Sequence, residues 1–205
     1  MGHKYAEIAF TPNVMALQTK WGSRTNDVHR AGIDTGPNHV LGPSEAGFIS
    51  RRDSFYLASV GEADWPYVQL RGGPEGFVRV LDEKTIGFAD FNGSRQYVSV
   101  RNLLENDRTS LIFMDYPNRT GLTLLGRARL VGSHDSETLS RLAIAGYSAH
   151  IERGILILVE AFDWNCPENI TPRFTREDIE ASVEPLHQRI ADLEAELADL
   201  EKSQT

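Results

Sequence analysis

The polar turn Asn92-Gly93-Ser94-Arg95-Gln96 contains the residue types of a site that binds an anion. It follows a predicted strand over residues 85–90 and precedes a predicted short helix. Several backbone amides are therefore free at a helix N-terminus, where the helix dipole is positive. The Ser94 hydroxyl can donate a hydrogen bond, and the Arg95 guanidinium can make a paired contact with phosphate oxygens. This combination predicts a ligand that carries a phosphate group.

The same five residues also fit a plain reverse turn. Asn-Gly between two apolar segments is the commonest signal of a short β-hairpin, because both residues tolerate positive φ. On this stretch alone the plain turn is the stronger interpretation, and the choice depends on the residues on either side.

Other residues that commonly carry chemistry stand in arrangements that do not support it. The chain has no GxGxxG, P-loop or HExxH motif, and the glycines of RGGPEG (71–76) have the wrong spacing for a dinucleotide. The six histidines are scattered, so no metal site is predicted. Ser133, His134 and Asp135 are sequence neighbours that cannot form a catalytic triad. Cys166 has no identifiable base and is expected to be an ordinary buried thiol, so no catalytic residue is assigned.

Composition excludes several classes of protein. The net charge of −8 argues against a nucleic-acid-binding protein, although nine acidic and three basic residues in 175–205 account for most of it. One cysteine excludes an intrachain disulfide and indicates a reducing compartment. The N-terminus has no apolar signal segment, and the longest aliphatic run (155–159) is too short to cross a bilayer. A cytoplasmic protein with no membrane association is expected.

Short segments with strand periodicity dominate the middle of the chain. Four helices are also predicted, over 12–20, 43–52, 96–105 and 133–147, and residues 1–42 are otherwise interpreted as a surface arm. The strands do not alternate with helices as in βαβ units, which favours a mainly β fold, a small closed barrel with flanking helices. The seven predicted strands cover 54–60, 66–73, 77–82, 85–90, 110–116, 121–132 and 154–164.

The last segment, residues 175–205, predicts an amphipathic helix with a heptad repeat. Thr175 and Asp178 form a capping box at its start, and Pro185 predicts a kink or a restart. The stripe is too narrow for an isolated helix, so it either packs on its own barrel or forms a two-stranded coil across a dimer axis. The apolar residues are spaced by alternating fours and threes: Ile179, Val183, Leu186, Ile190, Leu193, Leu197 and Leu200.

Several of these features occur together in one known family. A strand ends in Gln69-x-Arg71, another runs into the Asn-Gly-Ser-Arg-Gln turn, a helix carries Asn102, and a last strand ends in Trp164. In this order they resemble the split-barrel proteins related to pyridoxamine 5′-phosphate oxidase, which bind flavin mononucleotide (FMN). The similar segments are DSFYLASVGEADWPYVQLRGGPEGF, TIGFADFNGSRQYVSVRNLLENDR, LIFMDYPNRTGLTLLGRARLV and VEAFDWNCPENITPRF, the last containing the WNCPxxITPRF signature of a subgroup.

The resemblance implies a homodimer with two FMN sites at the subunit interface. Together with the patterns described above, it predicts an N-terminal arm (1–42), an FMN-binding split barrel (43–174) and a C-terminal amphipathic or coiled-coil helix (175–205). It also implies roles for particular residues. The phosphate would be held by Arg71, Ser94, Arg95 and Gln96. The isoalloxazine would be lined, largely through backbone, by Tyr67, Val68 and Gln69. The ribityl chain or ring edge would be approached by Asp90 and Asn102, and the flavin would be reached from the other subunit by Trp164 and Asn165.

The implied activity is that of an FMN-dependent oxidoreductase, in which hydride passes through flavin N5 to or from an unknown small molecule or a nicotinamide donor. Gln96 lies where the oxidase itself has a lysine, and the oxidase's C-terminal arginine motif is replaced by acidic heptads, which disfavours vitamin B6 oxidation. Two alternatives remain. One is a non-enzymatic flavin or haem carrier or redox sensor on the same barrel, and the other is a structural protein in which the heptad helix matters most.

Overall fold

The computed structural model describes residues 3–23, 38–91, 96–147, 150–165 and 167–203. Contacts within the chain separate two compact units. The first comprises Met1–Asp115 and Thr120–Pro167, and the second comprises Tyr116–Arg119 and Glu168–Thr205.

The first unit contains one antiparallel sheet of seven strands among the described residues. Along the sheet the strands take the order β2-β1-β5-β6-β7-β4-β3, so the hairpins β1–β2, β3–β4 and β5–β6 are neighbours in both sequence and space. The strands are β1 (Ser54–Val60), β2 (Pro66–Gly72), β3 (Arg79–Asp82), β4 (Thr85–Phe91), β5 (Arg108–Asp115), β6 (Thr120–Val131) and β7 (Ile151–Asn165).

The sheet closes on itself. Strand β2 lies at one edge and β4 is the second strand from the other edge. Nevertheless Arg71 Nη1 of β2 lies 2.6 Å from Asp90 Oδ1 of β4, which a flat sheet of seven strands about 4.8 Å apart would not allow. The predicted fold class, a mainly β barrel with flanking helices and a C-terminal helix, is confirmed.

Alternating apolar residues fill the interior of this barrel. Phe55 of β1 packs against Phe88 of β4 and Phe113 of β5, with ring centroids 5.1 and 5.0 Å apart. Leu57 and Leu111 continue the same inward faces and are fully buried. Each such side chain stabilises the fold by about 1.5–3 kcal/mol through burial, so this cluster provides a rigid frame for polar groups at the barrel end.

Five of the helices in the described residues belong to the first unit, and the second unit contains one long helix. None of the helices in the described residues is both long and apolar enough to span a membrane. The helices are α1 (Lys4–Ala9), α2 (Pro12–Trp21), α3 (Pro43–Ser50), α4 (Val98–Glu105), α5 (Ser136–Leu142) and α6 (Arg176–Ser203), with a short 3-10 turn at Pro167–Asn169.

The first helix and the start of α5 differ from the prediction. Helix α1 was not predicted, because six residues are too few to show helical periodicity; the His3 ring caps it by accepting from Ala6 N. The helix predicted over 133–147 is shorter than expected, because α5 covers Ser136–Leu142 and the predicted start at residue 133 is wrong. Asp135 caps the helix and accepts from Thr138 N at 3.0 Å, and that hydrogen bond is the main cause that lowers the pKa of its carboxyl.

Helix α6 begins as predicted. Thr175 N donates to Asp178 Oδ2 at 2.9 Å and Asp178 N donates to Thr175 Oγ1 at 3.1 Å, the reciprocal pair of a capping box. The helix then runs through Pro185 as one element and does not restart there.

Candidate functional site

A polar cleft lies where β2, the end of β4, the start of α4 and the start of β7 meet. The space between its walls is about 460 Å³ when the open mouth is included. The residues that line it are Tyr67, Gln69, Arg71, Asp90, Phe91, Gln96, Tyr97, Val98, Ser99, Val100 and Glu152.

The pleat of β2 selects which of its residues reach the cleft. Tyr67, Gln69 and Arg71 alternate along the strand and share the cleft face, because successive side chains of a strand point to opposite sides. Val68 and Leu70 lie on the other face, 60% and 58% exposed. The side chain of Val68 therefore does not line the cleft, and the backbone contact implied for it stays a prediction.

Arg71 is held in place by two side-chain hydrogen bonds. Its Nη1 donates to Asp90 Oδ1 at 2.6 Å, and its Nη2 donates to Ser99 Oγ at 2.8 Å. The Ser99 hydroxyl in turn donates to Gln69 Oε1 at 2.7 Å. Within the described residues Arg71 Nε is buried without a hydrogen-bond partner. The guanidinium is thus oriented by the protein and keeps one donor unused.

A second arginine approaches the same carboxylate. Arg153 Nε lies 3.5 Å from Asp90 Oδ2, close enough for an ion pair. This Nε is also buried and makes no hydrogen bond within the described chain. The side chains of Arg71, Arg153 and Asp90 are only 15%, 19% and 11% exposed, so little water screens their charges. Asp90 offsets one of two positive charges at the inner end of the cleft.

Tyr97 and Glu152 form the outer wall beside Arg153. The Arg153 guanidinium stacks 5.0 Å above the Tyr97 ring and also pairs with Glu152. The Tyr97 hydroxyl donates to Glu152 Oε1 at 3.0 Å. Tyr97 has a φ of +54°, an unfavourable conformation for a bulky residue that costs on the order of 1–3 kcal/mol. Strain of this kind is concentrated at binding sites, and here it places an aromatic ring at the cleft wall.

Two residues connect the predicted phosphate turn to this cleft. Phe91, which precedes the turn, and Gln96, its last residue, both line the cleft. Ser94 and Arg95 lie outside the described residues, so their implied role in holding the phosphate stays a prediction.

Asn102 lies elsewhere on α4. Its Nδ2 donates to Ser59 Oγ at 3.1 Å, and it packs so closely on Gly61 that a Cβ there would be 2.2 Å from Asn102 Oδ1. It is not among the residues that line the cleft. Asn102 thus joins α4 to the end of β1 and positions Ser99 indirectly, through the helix that both residues share.

Trp164 and Asn165 are far from the cleft in the same chain. Trp164 Nε1 donates to Glu45 Oε1 at 3.1 Å, and Asn165 Oδ1 accepts from Thr123 Oγ1 at 2.9 Å. Eleven residues of β7 separate Trp164 from Arg153, a length of about 35 Å along the strand. One chain therefore cannot bring these two ends of β7 to one ligand.

Four residues at the cleft were not predicted from the sequence to belong to a site: Tyr97, Ser99, Glu152 and Arg153. Arg153 is the direct ladder partner of Asp90, so a cross-strand charge pair was the available signal. It becomes visible only when the register of β4 on β7 is known. Among the described residues no group of His, Cys, Asp and Glu has the geometry of a metal site.

An apolar face lies on the outside of the barrel, on the side of β2 opposite the cleft residues. Tyr56 of β1 pairs with Leu70 of β2 on one side and with Ile112 of β5 on the other, and all three are exposed. Val68 extends the row along β2. We name Tyr56, Val68, Leu70 and Ile112 the outer apolar face. Contiguous apolar surface of this kind is typical of a protein interface.

Comparisons with known proteins agree on the fold. The profile of the family named pyridoxamine 5′-phosphate oxidase matches residues 43–164. No curated protein matches the chain. An FMN-binding protein from Syntrophomonas wolfei has a TM-score of 0.50 at 13% identity, covering 69% of this chain and 97% of that one, a likeness that shows the fold alone.

Two further solved structures have lower TM-scores. A putative pyridoxamine 5′-phosphate oxidase from Lactobacillus delbrueckii is 16% identical with a TM-score of 0.47, covering 61% of this chain and 94% of that one. HupZ from Group A Streptococcus is 16% identical with a TM-score of 0.44, covering 60% of this chain and 91% of that one.

Proposed function

The chain belongs to the pyridoxamine 5′-phosphate oxidase family, and on that premise we propose that it binds FMN in the cleft beside Arg71 and acts as a flavin-dependent oxidoreductase on a small molecule. One observation carries the proposal: two buried guanidiniums, Arg71 and Arg153, converge on the single carboxylate of Asp90.

This arrangement fits a phosphate group. Buried N–H groups are nearly always hydrogen-bonded, and within the described residues the Nε atoms of Arg71 and Arg153 make no hydrogen bond, which favours an additional acceptor at this place. Asp90 and Glu152 balance the two arginine charges, so the guanidiniums would hold a phosphate through paired contacts with its oxygens. Ser94, Arg95 and Gln96, on the turn that borders the cleft, would complete the phosphate site.

The remaining cleft residues would bind and orient the flavin. Tyr67 and Gln69 share the face of β2 with Arg71, and Tyr97 contributes an aromatic wall. When bound, FMN supplies the chemistry, since its N5 accepts or donates hydride. Such a step requires no acid or base from the protein. Asp90 and Glu152, the two acidic residues in the described cleft wall, are both paired with arginines, so their role would be to hold these arginines.

The complete site would include a second subunit. Trp164 and Asn165 lie about 35 Å along β7 from Arg153, so they could reach a flavin only when another copy supplies them. The outer apolar face, on the β2 surface opposite the cleft residues, gives that copy a surface on which to pack. We infer a homodimer with two equivalent flavin sites, in the cytoplasmic compartment that the single cysteine favours.

The test is flavin binding by the purified full chain. A yellow protein, or an apoprotein that binds added FMN at least tenfold more tightly than riboflavin, is the expected result, because riboflavin lacks the phosphate that the arginines would hold. A colourless protein that binds neither flavin would refute the proposal. Equal affinity for both would place the phosphate away from Arg71 and Arg153. Reduction of bound FMN by NADH or NADPH, followed by stopped-flow absorbance, separates an enzyme from a flavin carrier.

A further inference from the structure

Helix α6 carries a continuous apolar stripe along its length. Six of the seven residues are 41–61% exposed, and the seventh, Val183, is partly buried. A helix whose apolar stripe follows a strict 4-3 spacing presents the narrow seam of a coiled coil, and such a seam is stable in water only when another helix covers it. The residue types of the seam and its flanks specify which helix that is.

The order of the spacings assigns the heptad positions. Val183, Ile190 and Leu197 occupy a positions. The four d positions are Ile179, Leu186, Leu193 and Leu200. Two of the three a residues are β-branched and three of the four d residues are leucine, the pattern that favours two parallel strands over trimers or tetramers. We propose that α6 pairs in parallel and in register with α6 of a second copy of this chain, as a two-stranded coiled coil.

Charged residues beside the seam agree with this orientation. In a parallel coil each g residue faces the e residue five positions further along the partner helix. Arg189 at g then faces the partner's Glu194 at e, an attraction that symmetry forms twice. Within one helix Arg189 Nη1 lies 4.0 Å from Glu196 Oε1, so its side chain already runs along the edge of the seam. The other charged g residue, Glu196, would face an acidic residue at the e position of the partner helix and be repelled by it. The Arg189–Glu194 pair is therefore the attractive contact that orients the helices.

The proline does not conflict with this pairing. Pro185 occupies a c position, on the outer side of the helix, next to Leu186 at d. The outer side is otherwise polar: Gln188 Nε2 at f donates to Asp192 Oδ1 at c, 2.9 Å away. The hydrogen bond that a proline removes is therefore lost on the side that would face water, and the seam stays unbroken over three heptads.

Cysteine cross-linking of the full chain tests the proposal. In a Cys166→Ser background, Leu193→Cys places one thiol at a d position of each helix, where a parallel coil brings the two copies together. Ala195→Cys, at the f position on the opposite side, is the matched control. Under mild oxidation we expect Leu193→Cys to become a covalent dimer and Ala195→Cys to remain a single chain.

Cross-linking at a second d position shows whether the result depends on one particular substitution. Leu186→Cys should cross-link like Leu193→Cys. Absence of cross-linking at both positions, or equal cross-linking at Ala195→Cys, would refute the parallel coil. The first of these results would favour packing of α6 on its own chain.

A charge exchange tests the orientation. In the Leu193→Cys chain, Arg189→Glu should slow cross-linking about fivefold, because both symmetric pairs change from attraction to repulsion. The double variant Arg189→Glu, Glu194→Arg should restore the original rate. In an antiparallel coil g faces g′ and e faces e′, so failure of the double variant to restore the rate would refute the parallel register. The coiled-coil proposal does not depend on flavin binding. FMN affinity, measured in the same variants, tests the proposed function separately.

Discussion

Asp90 on β4 and Arg153 on β7 are direct partners in the antiparallel ladder, with Asp90 Oδ2 3.5 Å from Arg153 Nε. The other oxygen of the same carboxylate accepts from Arg71 Nη1 at 2.6 Å, across the gap where the sheet closes into a barrel. One carboxylate thus holds two guanidiniums that come from opposite parts of the sheet. Removal of its charge should affect the stability of the barrel and its affinity for anions in opposite directions.

The first prediction concerns the charge of Asp90. Asp90→Asn leaves the nearly buried Arg71 guanidinium without its counter-ion and Arg153 with Glu152 alone, and breaking a buried ion pair in this way costs about 3–5 kcal/mol. We expect the free energy of unfolding of the apoprotein to fall by about 3 kcal/mol in urea denaturation. The unneutralised arginines should also bind anions more tightly, so added phosphate should stabilise the variant more than the parent.

Asp107→Asn is the matched control. Asp107 pairs with Arg127 at 2.8 Å, but both side chains are well exposed, so the loss should stay below about 1 kcal/mol. An equal loss of unfolding free energy in the two variants would show that the burial of the Asp90 ion pairs does not increase their contribution to stability.

The second prediction concerns Arg153, which the sequence alone did not reveal. Arg153→Ala should lower the affinity for FMN about tenfold or more, because a hydrogen bond to a charged group contributes about 1.5–3 kcal/mol. Affinity for riboflavin should hardly change. Fluorescence titration measures both flavins, and Arg127→Ala on β6 controls for the loss of an arginine away from the cleft.

Arg95→Ala should show the same selectivity for the phosphorylated flavin. If either variant weakened FMN and riboflavin equally, that arginine would contact the ring or support the fold, and its assignment to the phosphate would be wrong.

The third prediction tests how α4 is positioned. Gly61→Ala would put a Cβ 2.2 Å from Asn102 Oδ1, so the amide must move and its hydrogen bond to Ser59 must break. We expect a loss of about 1–3 kcal/mol in thermal or urea unfolding. In an Asn102→Ala background the same change should be nearly neutral, since the clashing amide is gone.

Gly47→Ala provides the comparison within α3. A Cβ there makes only an ordinary contact, 3.6 Å from Arg51 Nη1, and alanine in a helix is favoured over glycine by about 0.5–1 kcal/mol. Gly47→Ala should therefore stabilise the protein. Destabilisation by both alanines would mean that the contact with Asn102 is not the cause.

The fourth prediction tests whether two chains build each flavin site. Arg153→Ala and Trp164→Leu should each weaken FMN binding in homodimers. When the two variants are co-expressed, each mixed dimer contains one intact site, formed by Arg153 from one chain and Trp164 from the other. Titration of the purified mixed dimer should recover half of the high-affinity sites.

No recovery in the mixed dimer would show that both residues act in one chain or that Trp164 has no role in the site. Leu70→Asp on the outer apolar face should abolish the recovery by separating the barrels. Leu104→Asp, an equally exposed leucine on α4, should not.

Local patterns were sufficient for much of the fold. The alternation of Phe55, Leu57 and Ser59 with more exposed neighbours places β1 at 54–60, as predicted, because a strand with one buried face leaves a period of two in the sequence. The apolar seam of α6 and its Thr175–Asp178 capping box were likewise predicted from residues close together in the sequence. Helix α1 was missed because its six residues show no helical period and it is held by contacts with residues distant in sequence, such as Lys4 N donating to Asn38 Oδ1 at 2.8 Å.

By itself the sequence determined the strands, the heptad helix and the residue types around the turn at 92–96, since each of these depends on neighbours within a few positions. Tertiary structure alone decided that Arg71, Asp90 and Arg153 converge. These residues come from three strands, and their meeting depends on the order of strands and on the register of β4 against β7. The local pattern of a strand records which face is buried but not which strand lies beside it, so a site assembled across the closure of a barrel leaves no local signal.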